Sequence, residues 1–175
     1  MLQAELDLLV MKAQQGNEGA LLVLFQYYQP GLIQFAYGLL RDHASAQDAV
    51  QNAWLKTLSK LPGLSNPLVF KSWIYRAVRW SATDILRQRQ LQRQRDCEQE
   101  PEELAQASEQ PYDTLHSAIQ GLPADEYQAI HLFYFSQLTL IEIALVQEVP
   151  VGTVKTRLYR AKAKLKVTLE NQHEY

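Results

Sequence analysis

The sequence predicts an all-α protein made of two small helical domains joined by a flexible acidic linker. Apolar residues recur at helical spacing through most of the 175 residues, and no segment shows the pattern of a strand or hairpin. This length fits one medium domain or two small ones. Residues 96–113 contain seven acidic residues, no lysine or arginine, and no apolar periodicity. We therefore expect domains at residues 1–93 and 113–175, with the linker at residues 94–112.

Four helical stretches are expected in the first domain, at about residues 3–15, 18–29, 31–58 and 69–90. Pro30-Gly31 and Pro62-Gly63 separate these stretches. Proline disrupts a helix interior, and a Pro-Gly pair is typical of turns. The sequence therefore predicts chain breaks at both pairs.

The third stretch carries an apolar stripe and a separate polar face. The stripe consists of Ala46, Ala49, Val50, Ala53, Trp54, Leu58 and Leu61. This i, i+3, i+4 spacing predicts a surface that faces the core. The second face consists of Asp48, Gln51, Asn52 and Leu55. A leucine among polar groups favours a docking surface for another macromolecule, with an ordinary solvated helix surface as the alternative.

Aromatic and arginine side chains alternate in the fourth stretch. The residues that can face inward are Ile74, Ala77, Val78, Ser81 and Ile85. A second line is formed by Trp73, Arg76, Trp80, Thr83 and Arg87. Such a line suits single-stranded nucleic acid, because bases stack on aromatic rings while arginines contact phosphate. The alternative is that both tryptophans belong to the core and the arginines are ordinary surface residues.

The second domain has the pattern of a helix-turn-helix. Helices are expected at about residues 113–120, 124–135, 140–147 and 151–170. Thr139 and Glu142 have capping-box spacing, which predicts the start of a helix of barely two turns. A turn at residues 148–150 leads into the last helix, whose apolar stripe is Val154, Leu158, Ala161 and Leu165. A short capped helix, a tight turn and a basic helix in this order are typical of DNA-binding domains.

The exposed face of the last helix offers groups for both base readout and phosphate contact. Its polar residues are Lys155, Thr156, Arg157, Arg160 and Lys164. Gly152 and Thr153 in the first turn would present free backbone amides to a phosphate. The alternative is a solvated basic helix end that the helix dipole favours.

Composition argues against several other classes of protein. One cysteine, Cys97, excludes an internal disulfide framework and a zinc site built from several thiolates. No nucleophile–base pair, paired carboxylates or phosphate-binding loop stands out, so we expect neither an enzyme nor a bound cofactor or metal. The apolar stretches fall short of the ~20 residues of a membrane helix, and the N-terminus lacks the basic start of a signal peptide. We therefore expect a cytoplasmic protein without membrane insertion.

Three segments together resemble bacterial RNA polymerase sigma factors of the extracytoplasmic function group, within the sigma-70 family. AQDAVQNAW at residues 46–54 is similar to the helix that docks on the coiled coil of the polymerase β′ subunit. FKSWIYRAVRWSATDILRQRQ at residues 70–90 resembles the promoter-melting helix, and PVGTVKTRLYRAKAKLK at residues 150–166 resembles the recognition helix. The resemblance extends over nearly the whole chain.

The resemblance implies a transcription initiation factor that binds the β′ and β subunits of core RNA polymerase and directs the enzyme to promoters. The region 2-like first domain would melt the minus-ten element, and the region 4-like second domain would bind the minus-thirty-five duplex. The implied polymerase contacts are Asp48, Gln51, Asn52 and Leu55. The implied minus-ten contacts are Trp73, Arg76, Arg79, Trp80, Thr83 and Arg87. The implied minus-thirty-five contacts are Gly152, Thr153, Lys155, Thr156, Arg157, Arg160 and Lys164.

Three residues depart from the family pattern. Asn52 stands where an acidic residue is usual, Trp54 where phenylalanine is usual, and Trp80 where asparagine is frequent. The loss of one negative charge at Asn52 would weaken a contact with a basic polymerase surface.

The resemblance also implies an anti-sigma protein as a partner. The linker is expected to leave the separation of the two domains unfixed until core polymerase sets it. A different class of function stays open at this point: a helix-turn-helix regulator that binds duplex DNA without docking on polymerase.

Overall fold

The computed structural model describes residues 2–95 and 114–172, which form eight α-helices. In chain order these are α1 (Gln3–Gln14), α2 (Glu18–Leu40), α3 (His43–Lys60), α4 (Phe70–Arg95), α5 (Thr114–Gln120), α6 (Ala124–Ile130), α7 (Leu140–Gln147) and α8 (Val151–Gln172). The described ranges contain no strand, which confirms the predicted all-α class. Within these ranges no helix is long and apolar enough to cross a membrane. Cys97 and most of the expected linker lie outside the described residues.

The first domain is a bundle of α1 to α4 in which α3 contacts both α2 and α4. The predicted stripe on α3 is buried, apart from the half-buried Leu58. Trp54 lies in this core, and its indole N–H donates to the Gln29 side-chain oxygen of α2 at 2.9 Å. Two 3₁₀ turns, Leu61–Gly63 and Pro67–Val69, connect α3 to α4, so the break predicted at Pro62-Gly63 is confirmed.

The break predicted at Pro30-Gly31 is wrong, because α2 passes through both residues without interruption. The residues buried on either side of the proline are Leu24, Tyr28, Leu32 and Phe35. Proline inside a helix costs about 3 kcal/mol, whereas burying each such side chain contributes about 1.5–3 kcal/mol. Packing therefore outweighs the lost backbone hydrogen bond. Gly31 assists this packing, since the Tyr75 hydroxyl lies 2.9 Å from the position of a Cβ atom there.

The chain turns instead between α2 and α3, at Arg41 and Asp42. Arg41 ends α2 with a left-handed φ of 56°. Asp42 caps α3 by accepting the Ser45 backbone amide at 2.9 Å. Arg89 of α4 donates to the Asp42 carboxylate at 3.1 Å and to the Leu40 carbonyl at 3.3 Å. An N-capping aspartate was the sequence signal for this boundary.

The second domain packs α5, α6 and α7 against α8. The Thr139–Glu142 capping box is present, with the Glu142 carboxylate accepting from the Thr139 amide at 2.7 Å. The helix predicted at residues 124–135 is confirmed in extent, but its last turn, His131–Phe135, is π-helical. On α8, Val154, Leu158 and Ala161 are buried and Leu165 is half-buried, which confirms the predicted stripe.

The two domains pack against each other through one continuous hydrophobic core. The Tyr127 ring of α6 occupies the space above Gly38 of α2, where any Cβ atom would overlap it. Its hydroxyl donates to the Gln34 carbonyl at 3.2 Å. The rings of Phe35 and His131 also meet across the boundary, with centroids 5.4 Å apart. In this structure the domain separation is therefore defined by direct contact, contrary to the expectation that it is unfixed in the free protein.

Candidate nucleic-acid interface

The polar face predicted on α3 is solvent-exposed. Asp48, Gln51, Asn52 and Leu55 all lie on it, opposite the buried stripe. Leu55 is 61% exposed, so this leucine takes no part in the core. The structure thus brings the four predicted docking residues together on one surface.

Two apolar residues of α2 were missed by the sequence reasoning. Phe25 and Leu22 are 39% and 56% exposed, and the Phe25 ring packs on the Trp54 ring at a centroid distance of 5.2 Å. Phe25 therefore places an exposed aromatic ring beside the core residue Trp54, on the α2 side of α3. The i, i+3 spacing of Leu22 and Phe25 outside the buried stripe was the available signal.

The two tryptophans of α4 have different surroundings. Trp73 is half-buried and packs edge-on against Phe70, which lies in the core. Trp80 is 44% exposed, and the Arg76 guanidinium lies over its ring, 4.5 Å from the centroid. The reading of both tryptophans as core residues therefore fails for Trp80. Thr83 and Arg87 are exposed further along α4.

The central part of the α4 line contacts Glu148, in the turn between α7 and α8. Arg76 donates to the Glu148 carboxylate at 2.7 Å, the Trp80 indole N–H at 3.0 Å and Arg79 at 3.4 Å. Hydrogen bonds from Trp80 and then Arg76 hold the pKa of the Glu148 carboxyl below its ordinary value. Arg79 also donates to the Gln128 side-chain oxygen at 3.0 Å. Three of the six predicted minus-ten residues are thus engaged by the second domain.

The predicted contacts on α8 fall into an outward set and an ion-paired set. Gly152, Lys155, Thr156 and Arg160 are exposed, and Thr153 is partly exposed in the first turn. Between residues 114 and 172, no hydrogen bond or ion pair engages the Lys155 or Arg160 side chains. The outward set leaves two cations available for a polyanion.

Arg157 and Lys164 form the ion-paired set, and both bind acidic residues of α6, although the Lys164 side chain is 49% exposed. Arg157, whose side chain is 19% exposed, donates to Asp125 at 2.7 Å and to the Gln147 side-chain oxygen at 3.0 Å. Lys164 donates to Glu126 at 2.8 Å. Both predicted DNA contacts are therefore engaged by α6 in this structure. No local pattern signalled these pairs, because their partners lie 32 and 38 residues apart in the chain.

Family models match both domains. The model described as Sigma-70 region 2 matches residues 24–92, and the model described as Sigma-70, region 4 matches residues 112–165. Together they cover the α3 face, the α4 line and the outward face of α8.

Relatives match along most of their length. RNA polymerase sigma factor SigV of Bacillus subtilis is 33% identical over 164 residues, which cover 93% of this chain and 98% of SigV. ECF RNA polymerase sigma factor SigW of the same organism is 25% identical, covering 93% of this chain and 95% of SigW. ECF RNA polymerase sigma-E factor of Escherichia coli K12 is 27% identical, covering 89% of this chain and 90% of the relative.

Solved structures share the fold. Sigma factor RpoE of Bartonella quintana, crystallised with the anti-sigma factor NepR, has a TM-score of 0.68 at 26% identity, covering 83% of this chain and 94% of RpoE. CnrH, solved in complex with the cytosolic domain of CnrY, has a TM-score of 0.69 at 22% identity, covering 94% of this chain and 97% of CnrH. Sigma factors are non-enzymatic proteins that direct RNA polymerase to promoters. The chain belongs to the sigma-70 family of bacterial RNA polymerase sigma factors, in the extracytoplasmic function group.

Proposed function

We propose that this initiation factor uses three separate surfaces, one for core polymerase and two for promoter DNA. The observation that carries the proposal is the presence, on one chain, of an uncovered polar face on α3, an arginine–tryptophan line on α4 and outward cations on α8. A helix-turn-helix regulator without polymerase docking would need only the last of these, and the comparisons give that alternative no support.

The α3 face is the proposed polymerase contact, through Asp48, Gln51, Asn52 and Leu55. Its exposed leucine is suited to the apolar centre of a protein interface, and the polar residues are suited to the rim. The basic partner surface implied by the family resemblance lies on the β′ subunit. Contacts with the β subunit are proposed for the second domain.

The α4 line is the proposed minus-ten contact, formed by Trp73, Arg76, Arg79, Trp80, Thr83 and Arg87. Stacking of a base on an aromatic ring contributes about 1–3 kcal/mol, which can offset the few kcal/mol needed to unstack that base. Because Trp80 is the more exposed tryptophan, it is the better stacking platform of the two. Melting of this kind requires no ATP.

The outward face of α8 is the proposed minus-thirty-five contact. Its residues are Gly152, Thr153, Lys155, Thr156 and Arg160, at the helix end that enters the major groove in helix-turn-helix docking. For Arg157 and Lys164, the geometry favours a supporting role in place of the DNA contact expected from the sequence.

We further propose domain limits at residues 1–93 and 113–175, the connecting linker at residues 94–112, and a cytoplasmic location where polymerase and chromosome meet. RpoE, at 26% identity, was solved in complex with the anti-sigma factor NepR. We infer that an anti-sigma protein also binds this chain.

Run-off transcription tests the three-surface proposal. Purified core polymerase, the full chain and a pool of genomic promoter fragments should yield discrete new start sites. The Asp48→Arg, Gln51→Ala double variant should lose them, because its changes reverse the charge and shorten the polar rim of the α3 face. Glu170→Arg is the matched charge-reversal control near the end of α8, and it should retain the start sites. Undiminished transcription by the double variant would contradict polymerase docking through α3.

A further inference from the structure

Three hydrogen-bond donors of α4 converge on a single carboxylate from the other domain. Arg76 and Arg79 approach Glu148 with one guanidinium nitrogen each, at 2.7 Å and 3.4 Å, and the Trp80 indole N–H approaches at 3.0 Å. The Arg76 guanidinium carbon lies over the Trp80 ring, 4.5 Å from its centroid. These groups form an anion site in which the donors are already oriented.

A DNA phosphate has the charge and the acceptor geometry that this site requires. Arginine binds carboxylate and phosphate oxygens in the same way, through charge-assisted hydrogen bonds from a planar guanidinium. An indole N–H can only donate, so it also needs an acceptor. We propose that Arg76, Arg79 and Trp80 bind a phosphate of single-stranded DNA, and that Glu148 takes the place of this phosphate in the free protein. The proposal rests on the proposed role of α4 in minus-ten binding.

The position of Glu148 couples the two DNA-binding surfaces. Glu148 ends α7 with a left-handed φ of 57°, and α8 begins only three residues later at Val151. Because the turn is so short, any opening that carries it away from α4 also carries the start of α8. In the proposed opening, the outward face of α8 moves away from α4, whereas in the compact form Glu148 occupies the anion site and excludes a DNA phosphate from it.

Packing at a second point holds the compact form together. The Tyr127 ring fills the space above Gly38, and its hydroxyl donates to the Gln34 carbonyl at 3.2 Å. Glycine at position 38 is required for this contact, because any side chain would overlap the ring. Glu148 and Tyr127 are thus two separate contacts that can be removed one at a time.

The first test measures binding of a fluorescent single-stranded dT15 oligonucleotide to the full chain without polymerase. Glu148→Gln keeps the side-chain volume but removes the charge, so the oligonucleotide should bind about three- to tenfold more tightly. Glu170→Gln makes the same change in net charge at an exposed residue of α8, which pairs with Lys166. This control should bind like the unmodified chain.

The second test opens the compact form without touching any charged group. Gly38→Ala should displace Tyr127. Because alanine has a higher helix propensity than glycine, α2 and the first domain should stay folded. We expect a larger radius of gyration by small-angle X-ray scattering and about threefold or more tighter oligonucleotide binding. Adding Arg76→Ala and Arg79→Ala to Glu148→Gln should abolish the gain.

Unchanged affinity in both Glu148→Gln and Gly38→Ala would overturn the proposal. An equal gain in Glu170→Gln would also overturn it, because net charge alone would then account for the effect. A separate assay tests the proposed function, namely core-dependent transcription from promoter fragments. Oligonucleotide binding that follows the pattern above without such transcription would refute only the proposed promoter role, whereas the reverse result would refute only the Glu148 mechanism.

Discussion

Arg157 and Arg160 lie on the same helix and carry the same charge, but they have different roles. The Arg157 guanidinium joins Asp125 of α6 to Gln147 of α7, while Arg160, one turn later, is exposed and makes no hydrogen bond or ion pair within the described part of the chain. Gln147 is itself buried and donates to the Asp125 carbonyl at 3.0 Å. Arg157 therefore sets the position of α8 relative to the helices that support it.

Salt dependence of duplex binding separates these tasks. Arg160→Ala should weaken binding to a minus-thirty-five duplex and reduce the slope of log K against log [salt] by about 1, as expected when one phosphate contact is lost. Arg157→Ala should lower the unfolding free energy by about 1–3 kcal/mol, because charged hydrogen bonds are lost, and leave the slope unchanged. A reduced slope in Arg157→Ala would show that this arginine contacts phosphate.

His131 gives the protein a predictable response to acid. It is buried beside Phe35, Tyr127 and Phe135. Burial, together with the nearby His116, lowers the pKa of His131 from 6.5 to about 4. As the pH falls below about 6.5, the unfolded chain takes up this proton before the folded chain does. The stability that neutral His131 provides is therefore complete above pH 6.5 and is lost towards pH 4.

Urea unfolding at a series of pH values tests this response. Between pH 7 and pH 4 the unmodified chain should lose about 3 kcal/mol more stability than His131→Phe does. His43→Phe is the control, because His43 is exposed although it stacks on Tyr37. Parallel pH profiles for the unmodified chain and His131→Phe would contradict the assignment of this proton to His131.

At the scale of elements, local pattern and tertiary packing compete most clearly in α2. The Pro-Gly pair has a turn-forming tendency, yet the helix continues because its buried face extends across the pair. The capping box at Thr139, by contrast, lies where local and tertiary preferences agree, and α7 has the bounds expected from sequence. Prediction failed where packing opposed the local signal.

Adjacent substitutions in α2 should differ in their effect on stability. Pro30→Ala removes the interior proline at an exposed position and should raise the unfolding free energy by about 1–3 kcal/mol. Gly31→Ala places a Cβ atom 2.9 Å from the Tyr75 hydroxyl, so the expected change is zero or a loss, despite the better helix propensity of alanine. Thermal and urea unfolding measure both. Stabilisation by Gly31→Ala equal to that by Pro30→Ala would show that Tyr75 does not restrict this position.

At the scale of the whole molecule, the shared core makes the two domains one unit. Tyr127 and His131 of the second domain contact Gln34 and Phe35 of α2, in addition to the Glu148 contact with α4. Elements that share buried contacts unfold together. The compact chain should therefore behave as a single cooperative structure.

Differential scanning calorimetry checks this cooperativity. The unmodified chain should show one transition with matching calorimetric and van't Hoff enthalpies, whereas Gly38→Ala should show two, because its domains no longer share the Tyr127 contact. Two transitions in the unmodified chain would mean that the interface contributes little to stability.

The sequence by itself determined what depends on neighbours within about four residues in the chain. Helical periodicity predicted the buried stripes of α3 and α8. It also predicted the exposed face of α3 formed by Asp48, Gln51, Asn52 and Leu55, and the capping box predicted the start of α7. These features could be read because helical contacts recur at i, i+3 and i+4. Family resemblance then supplied the role of each surface.

Only the tertiary structure decided which groups meet across long separations in the chain. Glu148 lies 72 residues from Arg76, and Tyr127 lies 93 residues from Gln34, so no local pattern indicates either contact. The inward direction of Arg157 likewise depends on Asp125, which lies 32 residues away. A basic residue next to solvent and one next to a carboxylate look alike in sequence. Packing distinguishes them, because it brings a distant carboxylate within hydrogen-bonding distance of one and not of the other.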